Sequence, residues 1–123
     1  MQVDLELALI EPATVNFKIL QELLPSDFYA EDRSEKGWGF VIRTTRELSD
    51  DAGAALDSFL PPLRPLTDTI KKAAAVLRIG AFCDTVTCTI RIGSCIDLAA
   101  MEISLEISTY PCSDEDAEEA DSN

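Results

Sequence analysis

Four cysteines, Cys83, Cys88, Cys95 and Cys112, are the first candidates for nucleophilic or metal chemistry in this sequence. A cysteine nucleophile needs a base, usually histidine, to generate and orient its thiolate, and the chain contains no histidine. Zinc binding favours paired C-x2-C knuckles. The gaps between successive cysteines are four, six and sixteen residues, and none is a knuckle. Cys83 and Cys88 fall on the inward parity of strand-like runs, as inert buried thiols do. Cys95, at the head of a short helical stretch, is the one position where a basic neighbour would favour a thiolate. A disulfide between Cys83 and Cys88 is not expected, because across a turn at Asp84 and Thr85 they face Val86 and Ala81 rather than each other. Four reduced thiols and no bound metal are expected.

The acid pairs Asp50–Asp51 and Glu31–Asp32 have the composition of a general acid and base. One pair opens a helix and the other lies in a polar stretch, where carboxylates are ordinarily solvated. The five glycines are scattered, so no phosphate-cradling loop is present. The expectation is a protein without catalytic residues or cofactors. Trp38, in "GWGF", could be an interface hot spot. Read with period two it shares a face with Phe40 and Ile42, and core packing is expected.

Charge is the distinctive property. Asp and Glu number 23 against 10 Lys and Arg, for a net charge of −13. Six of the acids lie in the terminal "CSDEDAEEADSN", so 17 still oppose 10 bases elsewhere. Such a surface repels phosphate backbones and anionic membranes and steers basic partners toward it. Nucleic-acid and membrane partners are therefore not expected. The first residues, "MQVDLELALIEP", alternate rather than forming a signal peptide, and no apolar run reaches membrane-spanning length. A cytoplasmic protein with reduced thiols follows.

The elements that must position these residues read as follows. "QVDLELALI" alternates Val3, Leu5, Leu7 and Leu9 against Gln2, Asp4 and Glu6, as a half-buried strand does. Asn16 can cap a helix carrying Leu20, Leu23 and Leu24 and stopped at Pro25. Residues 25 to 36, with Phe28 and Tyr29, read as a loop, and the Trp38 strand follows it. Ser49 can cap a helix broken at Pro61 and Pro62. A second helical piece continues through Ile70, and both pieces face one core. Residues 77–83 and 86–92 read as a hairpin, 94–101 as a short helix, and Ile103, Leu105 and Ile107 as the inward side of a last strand. Hydrophobic residues make up 46% of the chain, enough for one folded domain over residues 1–112, with an acidic disordered tail at 113–123. The fold class is α+β, a mostly antiparallel five-stranded sheet with helices on one face. Its other face would present Asp4, Glu6, Arg43, Arg78, Thr87, Thr89, Arg91, Ser104 and Glu106, a mixed-charge surface whose field is weaker than that of the acidic loop at 27–35 because it includes three arginines.

"LQELLP", the "GW" opening a strand, "LDSFLPPLRPLTDTI" and "LAAMEISLEISTY" together resemble the bacterial domain-of-unknown-function family numbered 4279, over about residues 3–110. "PSDF" stands here where that family often carries a Pro-Thr pair. Members of that family resemble immunity proteins in some of their genomic settings, and the family's pattern carries no catalytic signature that would imply an activity. Combined with the charge, the resemblance gives the expectation of a small acidic protein that neutralises a basic toxin by protein–protein contact. The alternative is a housekeeping or small-ligand-binding domain whose acidity serves solubility. The expected contact residues are Asp27, Phe28, Tyr29, Glu31, Asp32 and Glu35, a mixture of acids and aromatic anchors suited to an interface.

Overall fold

The computed structural model describes residues 2–11, 13, 15–83, 90, 92 and 96–111. Its elements are β1 (Gln2–Leu9), α1 (Phe17–Leu23), β2 (Phe28–Asp32), a 3-10 turn (Ser34–Lys36), β3 (Phe40–Thr44), α2 (Ala52–Phe59), a 3-10 segment (Pro61–Leu66), α3 (Thr67–Lys72), β4 (Ala75–Cys83), α4 (Ile96–Ala100) and β5 (Ser104–Pro111). The strands form one sheet in the order β2-β3-β1-β4-β5. Three pairings are antiparallel, and β4 with β5 is parallel. The expected α+β class and mostly antiparallel five-stranded sheet are both present.

The period-two reading of β1 holds: Val3, Leu5, Leu7 and Leu9 are buried, and Asp4 is exposed. One cluster joins these residues to Phe40 and Ile42 of β3, Leu77 and Ile79 of β4, Leu20 of α1, Leu56 and Phe59 of α2, Leu63, and Ile70 of α3. Asn16 caps α1 by accepting a hydrogen bond from the Ile19 amide at 3.1 Å. The cap of α2 is Asp51, which accepts from the Gly53 amide; Ser49 lies outside it and accepts from the Asp51 amide. Pro61 and Pro62 end α2 as expected, and the chain continues as a 3-10 segment with Pro65 inside it.

Several expectations are corrected. Residues 28–32 form a strand, β2, because Phe28 and Ala30 point into the core between outward-facing neighbours. Leu23 lies on the exposed side of α1. Leu105 and Ile107 have inward parity, opposite Leu77 and Ile79, yet each is about two-fifths exposed; among the described residues β5 has a neighbour strand on one side only. The hairpin expected over 77–92 has its second arm mostly outside the described residues, and β4 is paired on both edges, by β1 and β5. The side chains of all four cysteines and the tail at 113–123 also lie outside the described residues.

Trp38 is the clearest departure, at 42% exposed. Gly37 and Gly39 adopt φ of 77° and 73°. These left-handed residues interrupt the pleat, so the alternation that buries Phe40 and Ile42 does not extend back to Trp38. The ring instead lies 5.7 Å from the Arg33 guanidinium carbon and 5.7 Å from the Lys36 ammonium nitrogen.

A bidentate ion pair ties α4 to the 3-10 segment. Arg64 Nε donates to Asp97 Oδ1 at 2.8 Å and Nη2 to Oδ2 at 3.0 Å. The Asp97 side chain is 9% exposed and that of Arg64 57%. Removing the guanidinium strands a nearly buried carboxylate. Arg64→Leu is therefore expected to cost about 1–3 kcal/mol in a denaturant titration, below the cost for a fully buried pair because Arg64 itself is solvated. Adding Asp97→Leu should recover part of that loss; an unchanged single variant would show that the pair stabilises nothing.

Candidate functional site

Of the six expected contact residues, Tyr29, Asp32 and Glu35 are exposed and Asp27 and Glu31 half-buried, but Phe28 is withdrawn from the surface: its ring is buried and meets Phe59 edge-on, with centroids 5.3 Å apart. Asp27 forms an ion pair with Arg46 at 3.1 Å, and its carbonyl accepts from the Thr45 amide and from both threonine hydroxyls at 44 and 45. It fixes the entry of β2 onto the end of β3. Asp32 accepts from the hydroxyl and the amide of Ser34. Those hydrogen bonds, the hydroxyl's first, hold its carboxyl below the usual carboxylate range. Glu31 pairs with Arg33 at 2.8 Å. Glu35 is exposed in the 3-10 turn. Tyr29 is 40% exposed and stands opposite Arg43 on the sheet face turned away from the core.

That outer face carries the most extended network of ion pairs among the described residues. Arg43 reaches Asp4 at 3.1 Å and Glu6 at 3.4 Å; Arg78 reaches Glu6 at 3.5 Å and Glu106 at 3.1 Å. The ladder crosses β3, β1, β4 and β5 with alternating sign. It follows from the alternation of each strand, since residues of one parity share a face and opposite charges on adjacent strands pair. The outer pairs, at the solvated Asp4 and Glu106, each contribute only about 0–1 kcal/mol, whereas Glu6, 20% exposed, is held between both guanidiniums at the part-buried centre. Three carboxylates share two guanidiniums, which leaves one negative charge in excess.

Beside the ladder the face is hollow. The cross-strand register places Asp4 opposite Gly80 and Gly80 opposite Ser108. The missing side chain at 80 opens a groove of about 290 Å³. Arg78, Glu6 and Glu106 close one end, and Phe82 and Tyr110 close the other. The two rings stack with centroids 5.2 Å apart and planes 24° apart. A second, more polar hollow of about 470 Å³ lies at the end of β1 and β3, bordered by Tyr29, Arg43, Arg46 and Asp50.

Asp4, Glu6, Arg43, Arg78 and Glu106 are legible from strand parity. Gly80, Phe82, Ser108 and Tyr110 are not singled out by it. The available signal was the glycine inside "RIGAF", since a glycine within a strand often marks a place where something approaches the backbone closely. Among the described residues no three Cys, Asp or Glu side chains gather as metal ligands, and no helix is long and apolar enough to cross a membrane. Compared with protein-family models, with curated proteins and with solved structures, the chain matches none.

Proposed function

We propose that this is a small acidic binding protein, acting in the cytoplasm, that engages a basic protein through the outer face of its sheet and neutralises it in the manner of an immunity protein. The observation that carries the reading is the ladder of Asp4, Glu6 and Glu106 around Arg43 and Arg78, with a carboxylate in excess on an open face. Complementary charge steers association and discriminates among partners more than it adds affinity. Tyr29 and Glu31 flank the same face and can extend the contact. Asp27 and Asp32 are occupied in shaping the ends of β2.

The test is recovery of the partner from the source cells at low salt. The expected result is a basic protein whose association slows as salt rises, because steering is screened over about 8–10 Å at physiological ionic strength, and whose toxicity is suppressed on co-expression. Failure to recover any protein at low salt would reject the binding reading. A partner that is bound but not inhibited would reject the immunity role alone.

A further inference from the structure

We infer that the groove over Gly80 receives a single arginine side chain of the partner. The inference rests on the reading that the outer face is the binding surface, and it specifies what that surface recognises.

The face is a lattice of three rows across β1, β4 and β5. Glu6, Arg78 and Glu106 make one row, Asp4, Gly80 and Ser108 the next, and Gln2, Phe82 and Tyr110 the third. The middle row lacks its central side chain. A group entering there meets a carboxylate on one side, a hydroxyl on the other, stacked rings at one end and a neutralised guanidinium at the other. Arg78 holds Glu6 and Glu106, so its charge is already shared. The Asp4 side chain is 51% exposed, so its carboxylate can take up further donors. The excess charge of the ladder is −1, which matches one monocation and disfavours an anion.

Among cations, guanidinium fits the surroundings better than ammonium. Its planar fork presents several donors that can reach Asp4 and Ser108 together and is more weakly hydrated than an ammonium, which is a compact, strongly hydrated point charge. The space also suits the group. A Cβ built on Gly80 would stand 3.6 Å from the Tyr110 ring and 3.9 Å from Asp4 Cβ. One methyl is therefore accommodated there, and a branched side chain would fill the opening.

The probes are three blocked tripeptides, Gly-Arg-Gly, Gly-Lys-Gly and the neutral Gly-citrulline-Gly, titrated into 15N-labelled full chain at low salt. The arginine peptide is expected to shift the Gly80, Phe82 and Ser108 amides saturably, the lysine peptide to do so more weakly, and the citrulline peptide not at all. Gly80→Val and Asp4→Asn, each checked for an unchanged unfolding transition, should weaken binding of the full partner by roughly thirtyfold, the lower edge of hot-spot effects. Equal shifts with citrulline, or no shifts at these amides, would overturn the inference. Full partner affinity in both variants would also overturn it while leaving the protein-binding reading intact. Peptide shifts in the absence of any protein partner would reject that reading instead.

Discussion

Phe28→Ala is expected to lower the unfolding free energy by about 3–5 kcal/mol, the usual cost of truncating a buried phenylalanine. Phe28 is 6% exposed and packs edge-on against Phe59, itself fully buried. Truncation would lose the ring's burial and leave a cavity under β2, the short edge strand it anchors. Trp38→Ala, at the larger aromatic, should cost no more than about 1–2 kcal/mol, the worth of the two exposed cation–π contacts with Arg33 and Lys36. Acrylamide should quench Trp38 readily in the folded protein. Urea titrations of the two variants decide the matter. A larger loss at Trp38 than at Phe28 would invert the assignment of core and surface.

The second large effect is expected at Gly39. Gly39→Ala would place a Cβ 2.0 Å from the Leu9 carbonyl oxygen and 2.9 Å from its carbon, a contact that only backbone movement can relieve. Leu9 pairs with Phe40 where β1 meets β3, so that movement would pry open the centre of the sheet. The left-handed φ of 73° adds its own penalty for any residue with a Cβ. The combined loss should reach about 3–5 kcal/mol, the upper part of the range for single substitutions. Gly37 provides the control. It has nearly the same φ, but nothing lies within 4 Å of its added Cβ, so Gly37→Ala should cost only about 1–2 kcal/mol. Equal losses at the two positions would show that φ alone, and not the approach of β1, accounts for Gly39.

The same two glycines explain why Trp38 was illegible. Parity is a sound guide while the backbone stays pleated, as in β1 and β3, and it fails one residue beyond a left-handed turn. β2 was hidden for a different reason: "FYAED" offers only Phe28 and Ala30 to the core, and the surrounding acids mask so short an alternation. The parallel partnership of β4 and β5 joins segments twenty or more residues apart, while two adjacent alternating runs favour a local hairpin reading. The ladder was readable because Asp4, Glu6, Arg78 and Glu106 lie on regular strands. The groove was not, because it is made by an absent side chain at Gly80 and by the register that sets Asp4, Gly80 and Ser108 in one row.

Whether the outer face is the binding surface is tested most directly by the affinity of the recovered basic partner for the double variant Asp4→Lys/Glu106→Lys. Both positions are solvated, with side chains 51% and 59% exposed, so the loss of two ion pairs and the like charges that replace them should cost no more than about 1–2 kcal/mol and leave the protein folded. Like-charge juxtaposition across an interface costs several kcal/mol. The variant is expected to bind at least about a hundredfold more weakly at low salt, with the deficit shrinking as salt is raised. Unchanged affinity in a folded double variant would contradict this and place the contact elsewhere on the molecule.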